Sequence, residues 1–202
     1  TIVRRILRSF TADQTVAAPQ GTVTVTQTGA GLAFGPVPYG APALALDGDA
    51  TTAWLTGNLG GGPGDALLLQ SPAAISVPAV TLRVPADLER RITRVRVTVR
   101  GAGRVAAAEA DVPRDADGLT DVALPPGTRG TSVEVRVLSV TGSGIGPVGI
   151  AELAVPGVTS TQVAALPTAL VARIARLGAA DALTGTPVDV LLRRRLSRPA
   201  DT

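Results

Sequence analysis

The sequence predicts an all-β chain folded as an antiparallel β-sandwich, with one short helix near the C-terminus. Three observations carry this. Stretches at 21–28, 93–100 and 132–140 alternate apolar and polar residues with the period of two that a half-buried strand needs. Gly and Pro, 23 and 16 of the 202 residues, fall largely between the apolar stretches as turn signals. The apolar residues, 45% of the chain, are mostly Val, Ala and Leu, with only four aromatics: Phe10, Phe34, Tyr39 and Trp54. Val suits a pleated surface better than a helix.

The elements follow in order. Residues 2–10 mix five apolar residues with three Arg and read as a strand ending at a turn over 11–13. In 21–28, Val23 and Val25 face one way and Thr22, Thr24 and Thr26 the other. A Gly/Pro-rich loop spans 29–42, and a second Gly-rich loop spans 57–64. The run 66–70 reads as a buried strand, and 77–84 as a strand with Val80, Leu82 and Val84 inward. Over 93–100, Val95, Val97 and Val99 point inward, with Arg94, Arg96, Thr98 and Arg100 outward. A turn at 101–103 leads to short strands over 104–112 and 118–124, then a loop at 125–127. Val133, Val135 and Val137 oppose Glu134 and Arg136 in 132–140. A third Gly-rich loop, 142–149, precedes a strand over 150–155. Pro167 followed by Leu170, Val171, Ile174 and Leu177, with Gly178 as a stop, has helical spacing. A last strand is expected over 186–196. The domain reading is a sandwich over 29–157. Strands over 1–28 extend a sheet or begin a flanking domain, and a C-terminal extension covers 158–202.

Composition narrows the chemistry. With no Cys and no His, thiol chemistry, disulfides, His-based triads and ordinary zinc sites are excluded. All 19 basic residues are Arg. Seven of these lie in residues 1–8 and 193–202, whereas the body between them is net acidic. A nucleic-acid binder needs a basic, aromatic-bearing face on its folded body, and this body has none. No run of about 20 apolar residues offers a membrane-spanning helix. The polar ends and the start without Met read as a piece of a longer protein.

The run 44–54, Leu-Ala-Leu-Asp-Gly-Asp-Ala-Thr-Thr-Ala-Trp, is the most informative stretch. Asp47-Gly48-Asp49 favours a tight turn, because Gly accepts positive φ and Asp bonds its own backbone. Carboxylates, carbonyls and a Thr hydroxyl can then converge as a hard cation requires, although the EF-hand spacing is absent. The same residues serve equally as a surface turn ahead of a core Trp. Asp47 and Asp49 share one turn and cannot straddle a glycosidic bond. Without His, Cys or Lys there is no nucleophile–base pair. Gly60-Gly61-Gly62 lacks the Lys and Ser/Thr of a phosphate loop.

Residues 45–54 resemble the signature of discoidin-like domains, also called coagulation-factor type C domains, whose sugar binders form family 32 of the carbohydrate-binding modules. That signature is a Leu-Asp-Gly-Asp/Asn turn, then Thr, then Trp. Ile150-Ala151-Glu152-Leu153 is similar to the family's late strand, and 91–97 and 132–138 to its central and later strands. The flanks 6–10 and 187–193 look like the extracytoplasmic region of actinobacterial cell-wall arabinofuranosyltransferases.

The resemblance implies a discoidin-type jelly roll in which turn and late strand meet at a structural calcium ion. Asp47, Asp49, Thr52, Glu152 and the Ala151 carbonyl would supply it. It also implies a non-catalytic module in the cell envelope that recognises envelope glycan, arabinan being the candidate, within a larger membrane glycosyltransferase. Trp54 is then core rather than a sugar platform. The loops offer Tyr39, Phe34, Asn58, Asp65, Arg114, Asp115 and Asp117 as sugar contacts. This is a sparse set, so a structural module packing against neighbouring domains of the same polypeptide stays open beside it.

Overall fold

The computed structural model describes residues 16–28, 40–57, 61–113, 119–165, 172 and 175–178. The chain divides into two compact units, one of 17–164 and one made of 1–16 with 165–202; the first holds the sandwich. The described strands are β1 (Val16–Gly21), β2 (Thr24–Thr28), β3 (Trp54–Leu55), β4 (Ala66–Ser76), β5 (Ala79–Arg83), β6 (Arg91–Gly101), β7 (Arg104–Asp111), β8 (Leu119–Ala123), β9 (Arg129–Thr141), β10 (Gly149–Ile150), β11 (Glu152–Ala154) and β12 (Ser160–Ala165).

The larger sheet has the order β2-β4-β9-β6-β7 and the smaller β11-β5-β8. Neighbouring strands in both run antiparallel. Alternation explains the core. Val95, Val97, Val99, Val133, Val135 and Val137 from the larger sheet are at most 1% exposed. They join Val80, Leu82, Val122 and Leu153 from the smaller sheet in one apolar cluster. Two facing sheets with inward-alternating Val make a sandwich core.

The strands predicted over 77–84, 93–100, 104–112, 118–124 and 132–140 are present. The N-terminal alternating stretch breaks at Thr22–Val23. Only β2 joins the larger sheet, while β1 pairs with β12. There the Thr22 N–H donates to the Thr159 carbonyl (2.9 Å) and the Thr159 N–H to Thr22 Oγ1 (3.0 Å). A Cβ at Gly21 would lie 2.1 Å from the Thr159 carbonyl oxygen, so this crossing needs glycine. The buried run at 66–70 is the start of a longer β4. Before the Asp47 turn, the chain forms a 3-10 helix, Pro42–Ala45, with Ala43, Leu44 and Ala45 buried.

The strand predicted over 150–155 is two strands. β10 pairs with β3, and β11 pairs with β5. Ala151 lies between them and is 2% exposed. The apolar run is continuous, but its backbone changes partner. Thr98 points outward as predicted yet is 6% exposed. Its cross-strand neighbour Glu134 draws Arg136 (3.0 Å) and Arg100 (3.5 Å) over the sheet face.

At the C-terminus, Ala172, Ala175 and Arg176 are helical, and Gly178 (φ 70) closes the turn with an N–H to the Ala175 carbonyl of 3.1 Å. The strands expected over 2–10 and 186–196 lie outside the described residues. Among the described residues no helix is long and apolar enough to cross a membrane.

The β6–β7 hairpin turns on Ala102 (φ 48) and Gly103 (φ 75). Two positive φ values in a two-residue hairpin call for Asn-Gly or Gly-Gly, and an Ala there carries the steric cost of the left-handed region. Ala102→Asn is expected to raise stability by about 0.5–1 kcal/mol, read as a higher urea midpoint with unchanged m-value. A lower midpoint contradicts this account of the turn.

Candidate functional site

The turn after the 3-10 helix is built by its own acids. Gly48 takes φ 78, and the Asp49 N–H donates to Asp47 Oδ1 (3.0 Å). The Asp49 carboxylate turns the other way, accepting from the Thr51 N–H (2.9 Å) and Thr51 Oγ1 (2.6 Å). The Thr51 hydroxyl first and its N–H second hold the Asp49 carboxyl below its ordinary value. Asp49 therefore brings its carbonyl to the cluster behind it, not its side chain.

That cluster centres on Thr52 Oγ1. Four oxygens surround it: Asp47 Oδ2 at 2.8 Å, Asp47 Oδ1 at 3.0 Å, the Asp49 carbonyl at 3.0 Å and the Leu44 carbonyl at 3.4 Å. A hydroxyl has one proton to give, so it satisfies one of the four.

From the late strand, the Glu152 carboxylate accepts backbone N–H groups of Gly48 and Leu153. Its Oε1 is buried with no hydrogen-bond partner. Burial, and then the charge of Asp47, push the Glu152 carboxyl above its ordinary value; Arg83, across the strand pair, opposes this weakly. The Ala151 N–H donates to the Arg83 carbonyl (2.8 Å) and anchors this strand start to β5. The turn and late strand thus meet, as the two motifs imply.

Among the described residues no three acidic side chains gather as a metal group. The oxygens here are of mixed kind: two carboxylates, two carbonyls and a hydroxyl. Such a set suits a hard cation, and the orphaned, buried Glu152 Oε1 is the atom a cation would satisfy. Trp54 is core as expected. It is 1% exposed, and its Nε1–H donates to Gln27 Oε1 (2.7 Å).

Strand directions bring the Gly-rich segments to one end of the sandwich: β2 and β9 run toward it, and β4 and β6 away. Residues 56–57, 61–65, 84–90, 112–113 and 142–148 all lie there. Arg90, 7% exposed, ties two of them together: its Nη1 donates to the Gly146 carbonyl (2.7 Å) and the Gly61 carbonyl (2.9 Å). Thr56 pairs with Val148 through N–H to carbonyl (2.8 Å), and its Oγ1 accepts the Val148 N–H (3.1 Å). Asp65, proposed from sequence as a sugar contact, is 8% exposed, and its Oδ2 accepts the Gly62 N–H (2.8 Å). It therefore supports the loop from inside. Asp87, Glu89 and Ile145 are exposed on this end.

Tyr39, Phe34, Asn58, Arg114, Asp115 and Asp117 lie outside the described residues. Sequence reasoning missed Arg90 and the carbonyls of Leu44 and Asp49. Arg90 sits beside Arg91 at a strand start and reads as an ordinary surface charge, and a carbonyl donor leaves no residue-type signal at all.

No protein-family model matches the chain, and no curated protein matches it in sequence. Among solved structures it is similar to the family 32 carbohydrate-binding module of Clostridium perfringens NanJ, solved with galactose. That match has TM-score 0.53 and 18% identity, over 68% of this chain and 98% of that one. A second family 32 module of Clostridium perfringens, solved with GalNAc-β-1,3-galactose, matches with TM-score 0.54 and 24% identity, over 69% and 99%. Arabinofuranosyltransferase AftD from Mycobacteria matches with TM-score 0.58 and 19% identity over 74% of this chain; the match spans 12% of that protein. The sandwich has the discoidin-like fold of family 32 modules.

The raised Glu152 carboxyl fixes a pH dependence. The folded chain holds this proton more tightly than the unfolded chain, so Glu152 costs nothing well below its ordinary value of 4.5. The cost grows as pH rises through and above that value. In chelator, Glu152→Gln is expected to match the parent in acid and exceed it at neutral pH, by urea midpoints across pH. Equal midpoints at every pH contradict a Glu152 carboxyl raised by burial and, second, by the charge of Asp47.

Proposed function

We propose that this chain is a non-catalytic glycan-recognition module of a cell-envelope protein, steadied by one calcium ion, and that its parent is a membrane glycosyltransferase. The observation that carries the reading is the fold match to two sugar-complexed modules over nearly their whole length. The gathering of Gly-rich loops at one end supports it, since such loops on a rigid sandwich commonly carry binding. The similarity to a segment of AftD supports the extracytoplasmic setting and makes arabinan the first glycan to test. Asp47, Thr52 and Glu152 would hold the ion with the carbonyls of Leu44 and Asp49, and Ala151 is the family-implied addition. The ion would neutralise facing carboxylates and join the turn to the late strand; it takes part in no reaction.

A second reading is a spacer that packs against sister domains and binds no sugar. The buried role of Asp65 favours it, because it removes one polar contact from an already sparse set.

Two measurements test these proposals. Calcium at about a hundredfold over its dissociation constant is expected to add about 2.7 kcal/mol. The gain should disappear with chelator and in Asp47→Ala. A melt indifferent to both calcium and chelator rejects the ion. Isothermal titration with arabinan oligosaccharides is expected to give binding in the micromolar-to-millimolar range, weakened in Tyr39→Ala. A flat titration at millimolar glycan favours the spacer.

A further inference from the structure

The two main sheets end on β2, β7, β8 and β11. Three of these edge strands are short, at five, five and three residues, whereas β7 runs eight. It contains no proline and pairs with β6 through eight consecutive residues without a register shift. Short length, proline and bulges are the usual protections of an open edge, and β7 has none of them. Val105 is 66% exposed, and Ala107, Glu109 and Asp111 are exposed with it.

The direction of its main-chain groups follows from the hairpin. In a two-residue turn the closing pair, here Gly101 and Arg104, exchanges hydrogen bonds. At the other end the Val112 N–H donates to the Thr93 carbonyl (2.9 Å). Even-numbered residues therefore aim their main-chain groups at β6. Val105, Ala107, Glu109 and Asp111 aim theirs away from it, and among the described residues no strand pairs with that side.

We infer that β7 is a self-pairing edge, where two copies of this chain join antiparallel about a two-fold axis. One register matches the four outward residues entirely with one another. It sets Val105 opposite Asp111 of the second copy, Ala107 opposite Glu109, and Ala108 opposite itself on the axis. Charge selects a second copy as the occupant. β7 is basic at Arg104 and acidic at Glu109 and Asp111. An antiparallel copy lays each acidic end beside the other's Arg104, with Arg100 next to Val105 in the same row; a parallel copy stacks acid on acid. Arg94 and Arg96 hold the Glu109 carboxylate toward β6 and keep it off the edge. The two five-stranded sheets become continuous, and the two loop ends face opposite directions. A contact of one strand is small, so its dissociation constant is on the order of ten to a hundred micromolar.

The test is sedimentation velocity of the full chain from about ten micromolar to about one millimolar, where a monomer is expected to give way to a dimer. Ala107→Pro removes an outward N–H from each copy and should weaken the dimer at least about tenfold, with the melting temperature of the dilute chain unchanged. Asp111→Arg sets like charge against Arg100 and Arg104 of the second copy and should weaken it too; this surface change keeps the test usable if the proline disturbs folding. The chain has no cysteine, so one introduced thiol reports the register. Ala108→Cys is expected to give a covalent dimer on mild oxidation, because a pair without mutual hydrogen bonds holds its Cα atoms about 4.5 Å apart, within disulfide reach. Ala106→Cys, opposite Ala110 of the second copy, should stay unlinked. A chain that remains monomeric throughout overturns self-pairing and leaves the edge to a strand of another protein. A dimer that tolerates both surface variants, and links no better through Ala108→Cys than through Ala106→Cys, overturns the edge as its interface.

Discussion

One hydroxyl proton is shared out among too many oxygens at Thr52, and the turn is shaped around that shortage. Two carboxylate oxygens and two carbonyls stand within 3.4 Å of Thr52 Oγ1. Across from them, Glu152 faces Asp47 with one oxygen buried and unpartnered. Local hydrogen bonds hold these groups together: the Asp49 N–H to Asp47 and the Gly48 N–H to Glu152. They do not neutralise the two charges. A buried carboxylate needs a compensating partner, or its proton affinity must rise. The turn follows the buried 3-10 helix and precedes Trp54, while Glu152 opens β11. Its electrostatics therefore bear on the edge of the sandwich as a whole.

The loop end solves a different problem. Glycine-rich segments lose much chain entropy on ordering and bring few side chains of their own to hold them. Here the order comes from beneath. Arg90 spends its charge on two carbonyls from two loops, and Asp65 and Thr56 cap backbone N–H groups of the same segments. A buried guanidinium satisfied by carbonyl dipoles has no freedom left to meet a ligand. Among the described residues, Asp87, Glu89 and Ile145 are exposed on this end.

The outer face of the larger sheet settles its charges internally. Arg94 and Arg96 share Glu109, and Arg100 and Arg136 share Glu134. The Glu109 pairs are well exposed and contribute little stability each, whereas Glu134 is largely buried beneath its two Arg partners; together they leave the face mixed in sign. What distinguishes this molecule is thus concentrated in the Asp47–Glu152 edge and the loop end.

Taken alone, the amino-acid sequence determined the sandwich, its inward-facing Val residues and the buried Trp54, because side-chain alternation is local and has a period of two. Through the family resemblance it also marked Asp47, Asp49 and Thr52 of the turn, with Ala151 and Glu152 of the late strand, as two motifs that belong together. Only the tertiary structure decided which atoms meet. It turned the Asp49 carboxylate to Thr51, brought in the Leu44 carbonyl, and split 150–155 at Ala151 into strands of different sheets. It also sent Arg90 inward while its neighbour Arg91 borders a cleft. None of these is legible in the chain, because a carbonyl looks the same in every residue. The partner of a charged side chain is set by strands that lie far away in sequence.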